Sequence, residues 1–415
     1  MTEPGRIAYV TDLEGRWDKL ATFAEGQADV WLARDGSLAL AEGVTFVFGG
    51  DVCDRGAGSR RLVEVLLEAK RRYGDRVVLL AGNRDLNKLR LRRELDGFPP
   101  ARTPSELRSG ARAPLLRWIL EHTMGARDAF EHRRAELASP RAVGATSPTD
   151  VERTSRVTDE AVAESFLDDI APGGPMRAYL RACRLAYRAG PTLFVHGGIT
   201  EESLFVAPHR AGRVAGVDAW LSELDGFLSE QLDRFERGEA PDALMAYQAP
   251  RSGTIWNQAS VVYGRPADED ANPELPSDAV IRALGEAGVS RLVVGHTPSG
   301  DCPAVVRDAG FELVLADNSY GRLEQGSRVV VTTHETHVVG ETLLDDGTRA
   351  LVSFSARLGR DEGPLGRRDD ASGALVKARL ERGGYLLFRG LPGRRVSQTL
   401  ASEEDVERMR LRAAR

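Results

Sequence analysis

The sequence predicts an α/β fold in which buried strands alternate with helices and end in polar loops. Five short apolar runs are each followed by polar or glycine-rich residues: Ile7–Val10, Val44–Phe48, Val77–Leu80, Leu193–Val195 and Leu292–Val294. Short β-branched runs bounded by turn residues are typical of buried strands. Between the second and third runs, Ser59–Tyr73 has apolar residues at helical spacing and charges on the opposite side. This strand–helix–strand order favours an α/β sheet.

The composition of residues 86–190 predicts a helical insertion or cap, because this segment is rich in Arg, Glu and Ala and contains few strand-like runs. Within this segment we expect helices over Arg112–Glu136 and Val162–Arg188. Ser139–Ser155, which contains Pro, Gly, Ser and Thr, reads as a loop between them.

The chain becomes β-rich after His296. Strands are expected at Phe311–Leu315, Ser327–Thr333, Thr348–Phe354 and Gly384–Phe388, and the tail Glu403–Arg415 is expected to be a charged helix. We therefore predict a main domain over residues 1–335, which contains the insertion, and a β-rich extension with a terminal helix over residues 336–415.

Composition limits the classes of function. The hydrophobic fraction of 42% supports a sizeable core, and 28% charged residues argue against long disorder. A net charge of -6 gives no support to nucleic-acid binding. The chain has three scattered cysteines, no apolar run of about 20 residues and no leader-like N-terminus. We expect a cytoplasmic protein that binds neither nucleic acid nor membrane.

Polar residues cluster directly after the five apolar runs. The clusters are Asp12-x-Glu14-Gly15, Gly50-Asp51-x-x-Asp54-Arg55-Gly56, Gly82-Asn83-Arg84-Asp85, His196-Gly197-Gly198 and Gly295-His296-Thr297-Pro298. In open α/β sheets, the carboxyl ends of the strands are where ligands bind. Mixed carboxylate, amide and imidazole donors suit Mn, Fe, Zn or Mg rather than a metal held by thiolates.

The order of these clusters resembles the calcineurin-like metallophosphoesterases, and most closely their phosphoprotein phosphatase branch, with its bacterial diadenosine-tetraphosphatase and phage phosphatase relatives. The resemblance rests on DLEGRWDKL, GDVCDRG, RVVLLAGN, FVHGG and VVGHTP, and covers roughly residues 5–95 and 185–335. It implies a four-layer sandwich of two mixed β-sheets flanked by helices, with the helical insertion and the β-rich C-terminal extension added to it.

The resemblance also implies the chemistry. Two divalent ions, with Mn favoured and Fe, Zn or Mg possible, would activate water for in-line attack on a phosphate ester or anhydride. Asp51 would bridge the two ions. The implied metal ligands are Asp12, Glu14, Asp51, Asn83, His196 and His296, and the implied catalytic residues are Asp54, Arg55 and Arg84.

Two residues depart from the family pattern. Glu14 stands where the family has a histidine, and Arg84 replaces the histidine that usually protonates the leaving group. Arginine keeps its proton at neutral pH, so it cannot act as that acid. We expect Arg84 either to offset the charge of Glu14 or to pair with Asp54. Without the acid, phosphoanhydrides and aryl phosphates should be better substrates than alkyl phosphates.

Three functions stay open at this point. The resemblance favours a serine/threonine-phosphatase-like enzyme with a phosphorylated substrate, which could be a protein, a nucleotide or a small molecule. A nucleotide pyrophosphohydrolase of the diadenosine-tetraphosphatase type is one alternative. The other is a weakened pseudo-phosphatase that binds a phosphorylated partner.

Residues beside the motifs have simpler interpretations. Asp85 is expected to fix its loop rather than to bind metal. Lys88, with the arginines at 90, 92 and 93, is expected on the solvated face of the first insertion helix, although the four could also steer an anionic substrate.

Overall fold

Helices and strands alternate through the first half of the chain, and strands dominate the last third. The computed structural model describes residues 5–139, 153–308, 310–323, 327–360, 363–393 and 395–415. Its strands are β1 (Arg6–Val10), β2 (Val30–Leu32), β3 (Leu38–Leu40), β4 (Val44–Phe48), β5 (Val77–Leu80), β6 (Cys183–Arg184), β7 (Ala186–Ala189), β8 (Thr192–Val195), β9 (Arg291–Val294), β10 (Ala304–Asp308), β11 (Phe311–Leu315), β12 (Arg328–Val331), β13 (Glu335–Leu343), β14 (Arg349–Arg357), β15 (Arg367–Asp369), β16 (Leu375–Arg379), β17 (Tyr385–Leu391), β18 (Arg395–Ala401) and β19 (Leu411–Ala413).

The helices fall mainly between β1 and β9. They are α1 (Trp17–Ala24), α2 (Ser59–Tyr73), α3 (Asn83–Leu86), α4 (Arg90–Leu95), α5 (Ser105–Arg108), α6 (Arg112–Thr123), α7 (Ala129–Ala138), α8 (Asp159–Ile170), α9 (Pro175–Ala182), α10 (Val217–Glu236), α11 (Asp242–Tyr247), α12 (Asp278–Glu286) and α13 (Glu403–Glu407), with short 3₁₀ turns at Gly74–Arg76 and Asn87–Leu89. Among the residues that the structure describes, no helix has the length and apolar character that crossing a bilayer requires.

Two mixed sheets form the centre of the protein. The first has the order β14-β13-β12-β1-β4-β5-β6, with β1, β4, β5 and β6 parallel. The second has the order β10-β11-β9-β8-β7, with β8, β9 and β11 parallel. Their buried side chains meet, for example where the rings of Tyr9 and Phe194 lie 5.7 Å apart. The predicted fold class, two mixed sheets with flanking helices, is confirmed.

The five apolar runs are strands, and they end at the edges where the polar clusters lie. β1, β4 and β5 of the first sheet and β8 and β9 of the second carry them, and their residues are buried. Since these strands are parallel within each sheet, their carboxyl ends bring distant polar loops together.

The insertion is helical, with boundaries that differ from the prediction. Arg112–Glu136 is not one helix, because Gly125 has a φ of 60° and separates α6 from α7. The second predicted helix, Val162–Arg188, contains α8, α9 and the strands β6 and β7, which pair with the two sheets. Most of the predicted loop Ser139–Ser155 lies outside the described residues.

The C-terminal region extends the first sheet and then forms a third. β13 and β14 pair with the first sheet through β12, and β15 to β19 form a five-stranded sheet in the order β18-β17-β16-β15-β19. The predicted boundary at residue 335 therefore falls at the start of β13, and the division into domains stays a prediction. The predicted tail helix is wrong beyond Glu407, because Leu411–Ala413 pairs with β15 instead.

Candidate metal centre

The loops that follow the parallel strands adopt unusual backbone conformations. Seven non-glycine residues of the described chain have a positive φ, and five of them belong to the predicted site: Asp12, Glu14, Asp51, Asp54 and His296. Such conformations cost about 1–3 kcal/mol each and cluster at functional sites, where the surrounding structure holds them. Strain is thus concentrated where the sequence predicts chemistry.

Close approach of the loops depends on glycine at two positions. A Cβ at Gly82 would collide with the Asp51 carboxylate, and one at Gly295 would collide with the Asp12 carboxylate. Both glycines directly precede predicted site residues. Their lack of a side chain lets the loops after β5 and β9 reach the loops after β4 and β1.

Four of the predicted ligands form one group, here called the histidine cluster: Asp51, Asn83, His196 and His296. Donor atoms of Asp51 and the two histidines all lie within 4.8 Å of one another. His196 Nε2 lies 3.2 Å from Asn83 Oδ1 and 3.4 Å from Asp51 Oδ1. His196 Nδ1 is 2.8 Å from the carbonyl oxygen of Gly49. That contact positions the ring as the outer hydrogen bond of a metal-bound histidine does.

The histidine cluster fits a divalent cation. His296 Nε2 is buried and has no hydrogen-bond partner among the described residues. A buried nitrogen in that state is costly unless something outside the protein chain binds it. Imidazole, carboxylate and amide donors in one buried group suit Mn, Fe, Zn or Mg.

The pKa values of the two histidines show how the histidine cluster is charged. Burial, followed by the positive charge of Arg265, lowers the pKa of His296 well below its usual value, so its ring is neutral and able to bind a metal. Burial also disfavours protonation of His196, but the charge and hydrogen bond of Asp51 outweigh it and raise the pKa to about 10. His196 therefore carries positive charge beside Asp51, as Arg84 also does, and it would release its proton on binding a metal.

Asp12 lies beside the histidine cluster and ties two loops together. Its Oδ2 accepts hydrogen bonds from Thr11 Oγ1 at 2.6 Å and from the backbone N–H of His296 at 3.1 Å. Burial and the nearby Asp317 raise its pKa. Asp12 therefore holds His296 through the backbone, and its predicted role as a metal ligand stays a prediction.

Glu14 is bound by two arginines. Its Oε1 lies 2.7 Å from Arg84 Nε, and its Oε2 lies 3.3 Å from Arg55 Nη1. The backbone N–H of Arg84 also donates to Asp51 Oδ1 at 2.8 Å. Burial raises the pKa of Glu14 to about 7, although both arginines oppose that shift. Of the two partners expected for Arg84, which were Glu14 and Asp54, the structure pairs it with Glu14.

Asp54 pairs instead with Lys88. Lys88 Nζ lies 2.6 Å from Asp54 Oδ2 and also donates to the carbonyl of Arg84 at 2.9 Å and to Asn87 Oδ1 at 2.7 Å. Lys88 is buried, so its expected place on a solvated helix face is wrong. The chain turns through α3 and the following 3₁₀ turn, which brings Lys88 back over the loop after β4.

Asp85 fixes its loop, as predicted. Its carboxylate accepts hydrogen bonds from the backbone N–H groups of Asp51, Val52 and Gly82, at 3.0, 2.8 and 2.9 Å. Burial raises the pKa of Asp85 to about 7. The loop after β5 is thereby fastened to the loop after β4, which carries Asp51.

Sequence reasoning missed several residues that line the site. The Arg55 guanidinium stacks on Tyr320 at 3.7 Å, and the Tyr263 ring lies 4.9 Å from the His296 ring. His132, from the insertion, has its Nδ1 3.4 Å from the carbonyl oxygen of Asp54. Tyr320 lies within residues 185–335, which the family resemblance covers, but no sequence pattern pointed to His132 or Tyr263.

The third sheet holds the loop that carries His296. Lys377 Nζ donates to the carbonyl of Ser299, and Gln398 exchanges two hydrogen bonds with Asp301 through its amide. Lys377, Gln398 and Asp301 are all buried. Asp301 also accepts from the backbone of Arg322, at the end of the loop that carries Tyr320. Two loops of the site are therefore anchored on the C-terminal region.

Comparison with known proteins bears on the class. The sequence model described as calcineurin-like phosphoesterase matches residues 5–134, and no curated protein sequence matches the chain. The cold-active protein-tyrosine phosphatase of a psychrophilic Shewanella species is similar in structure, with 16% identity and a TM-score of 0.44 over 84% of this chain and 80% of that one. A serine/threonine phosphatase from Saccharomyces cerevisiae, described as similar to human PP5, has 14% identity and a TM-score of 0.38 over 91% of this chain and 84% of that one.

The family match confirms the predicted relationship to the calcineurin-like phosphoesterase superfamily. It covers the strands and loops that carry Asp12, Glu14, Asp51 and Asn83. Together with the histidine cluster, it supports a metal-dependent hydrolase that acts on phosphate esters.

Proposed function

We propose that this chain is a phosphatase, similar to the serine/threonine phosphatases, that hydrolyses phosphates whose leaving groups depart without a proton donor. The observation that carries the metal-dependent part is the histidine cluster, with a buried His296 Nε2 that lacks a partner among the described residues. The observation that carries the selectivity is the replacement of the usual acid by an arginine.

Metal would be held by Asp51, Asn83, His196 and His296, and we propose manganese because the donors are oxygen and imidazole nitrogen. A divalent ion there supplies a Lewis acid for a phosphoryl oxygen and lowers the pKa of water. Arg55 and Arg84 provide fixed positive charge next to it. A guanidinium can bind two phosphate oxygens at once and so orient the phosphoryl group for in-line attack.

Among the described residues, neither Arg84 nor Lys88 offers a proton to the leaving group. Arg84 keeps its proton. Lys88 Nζ directs its three donors to Asp54, Arg84 and Asn87, so none is left for a substrate. Leaving groups of low pKa, such as aryl oxides and nucleotide phosphates, need little protonation. We therefore expect turnover of aryl phosphates and phosphoanhydrides to exceed that of phosphoserine peptides.

The test compares three substrates on one preparation. Purified full-length protein is assayed with p-nitrophenyl phosphate, a diadenosine polyphosphate and a phosphoserine peptide, with Mn²⁺ and then with a chelator. We expect chelator-sensitive hydrolysis of the first two and slow hydrolysis of the third. Faster turnover of the phosphoserine peptide would overturn the proposed selectivity, and His132→Ala would then show whether the insertion supplies the acid.

The alternatives separate in the same assay. Strong preference for the diadenosine polyphosphate over p-nitrophenyl phosphate would favour the nucleotide pyrophosphohydrolase. No turnover of any substrate, with Mn²⁺ bound, would favour the pseudo-phosphatase. A cytoplasmic location is part of the proposal, and it rests on composition and on three cysteines that are free and buried.

A further inference from the structure

The two metal positions implied by the family resemblance are not equivalent in this chain. The histidine cluster presents converging donors and an unpartnered nitrogen, as described above. The other position would use Asp12 and Glu14 together with Asp51. There the donors are engaged by the protein itself, chiefly by Arg84 and Arg55.

Glu14 has no oxygen left that is unengaged. Arg84 Nε lies 2.7 Å from Oε1 and Arg55 Nη1 lies 3.3 Å from Oε2. The side chain of Glu14 is only 4% exposed, so water cannot easily replace either arginine. A divalent ion could bind Glu14 only if a buried ion pair were broken first, and breaking such a pair leaves a charge without compensation.

Arg84 also reaches the carboxylate that the two metals would share. Its Nε lies 3.6 Å from Asp51 Oδ2, and its backbone N–H donates to Asp51 Oδ1 at 2.8 Å. The guanidinium thus lies between Glu14 and Asp51, where the resemblance requires a cation. Arg84 and Arg55 together carry two positive charges at this position, which equals the formal charge of one divalent ion.

We propose that Arg84, assisted by Arg55, replaces the first metal ion, so that the chain binds a single divalent ion at the histidine cluster. The inference rests on the proposed function, because it concerns the same site. It changes the mode of catalysis: a fixed guanidinium, rather than a second ion, contacts the phosphoryl group. Nη1 of Arg84 donates to the carbonyl of Met124 at 3.3 Å, whereas Nη2 makes no hydrogen bond within the described residues and is the nitrogen suited to a substrate oxygen.

Metal counting tests the inference without any substrate. The full-length protein is equilibrated with Mn²⁺, freed of loose metal and analysed for bound Mn and by electron paramagnetic resonance. We expect one equivalent per chain and the spectrum of an isolated ion. Two equivalents with an exchange-coupled spectrum would overturn the inference.

Variants sharpen the test. Arg84→Gln removes the guanidinium and Glu14→His/Arg84→His restores the family residues, so both should raise the count towards two. Arg133→Gln is the matched control, because Arg133 is also buried and pairs with Asp169 and Glu136 rather than with Glu14; its count should stay at one. If the restored double variant folds and still binds one ion, Arg84 is not what excludes the second.

Failure of this inference can be told from failure of the proposed function. One bound ion with no hydrolysis of any phosphate would refute the function and leave the single-ion site standing. Two bound ions with hydrolysis would refute the single-ion site and leave the function standing.

Discussion

The two halves of the site differ in what their side chains bind. In the histidine cluster, donor atoms converge and His296 Nε2 has no partner in the described chain. In the other half, Glu14, Arg55 and Arg84 satisfy one another, and Lys88 satisfies Asp54. Both halves stand on loops at the ends of parallel strands. The same scaffold thus presents one half ready for an external cation and one half that is charge-compensated internally.

The largest expected effect comes from breaking the half that is ready for metal. His296→Ala should lower kcat/KM about 10³-fold or more, since a catalytic metal contributes several kcal/mol to transition-state stabilisation. Bound Mn, measured on the same sample, should fall in parallel. His209→Ala is the control, because His209 contacts Glu223 on the surface of α10. Normal metal content in His296→Ala would exclude His296 as a ligand.

The second effect tests whether Glu14 and Arg84, in the charge-compensated half, contribute to stability as a coupled pair. Glu14→Gln and Arg84→Gln each leave a buried charge without its partner, which costs about 3–5 kcal/mol of unfolding free energy. The double variant should lose less than the sum of the two, by about 0.5–3 kcal/mol. Urea denaturation of the four proteins measures this difference.

A second double-mutant cycle is the control for this coupling. Glu14→Gln combined with Arg133→Gln changes two residues that share no ion-pair partner within the described chain, so their effects should add to within about 0.5 kcal/mol. Additive effects in the Glu14 and Arg84 cycle would contradict the coupling that their 2.7 Å contact indicates.

A smaller effect is expected from the anchor of the His296 loop. Gln398→Leu removes the amide that contacts Asp301, and should weaken Mn²⁺ binding about tenfold, the lower end of what outer hydrogen bonds of a metal site contribute. Val376→Ala is the control, since Val376 is buried in the same sheet but packs with Tyr385 and Val406. Equal Mn²⁺ affinity in both variants, measured by calorimetry, would show that the third sheet does not position the loop.

The smallest effect concerns Arg55 at the edge of the compensated half. Tyr320 is 49% exposed and stacks under the Arg55 guanidinium. Tyr320→Ala removes a cation–π contact of about 0.5–1 kcal/mol, so KM should rise about two- to fivefold with little change in kcat. Tyr320→Phe keeps the ring and should behave like the parent. A change in kcat alone would mean that the stacking does not serve substrate binding.

Much of the architecture was predictable because it depends on short-range patterns. The apolar runs at Val44–Phe48 and Val77–Leu80 are strands at the residues predicted, since burial on both faces requires continuous apolar sequence. Helix ends in the insertion were less predictable. Gly125 interrupts a periodic stretch, and Val162–Arg188 changes from helix to strand because Cys183–Arg184 finds a partner in β5.

The pairing of charges was not predictable from spacing. The sequence offers Arg84 two candidate partners, and it predicts Lys88 on a solvated helix face. Lys88 reaches Asp54 across 34 positions of sequence, and Gln398 contacts Asp301 across 97. Such contacts depend on how the loops fold over one another in three dimensions. The spacing of residues along the sequence does not predict that arrangement.

The sequence by itself determined that the candidate donors follow strands of the two sheets. Asp12, Asp51, Asn83, His196 and His296 follow apolar strands, and parallel strands must bring their carboxyl ends together. Only the tertiary structure decided which candidate donors converge on one another and which face an arginine. The physical reason is burial: once Glu14 and Asp54 leave water, each must find a positive charge, and the nearest one depends on the folded backbone.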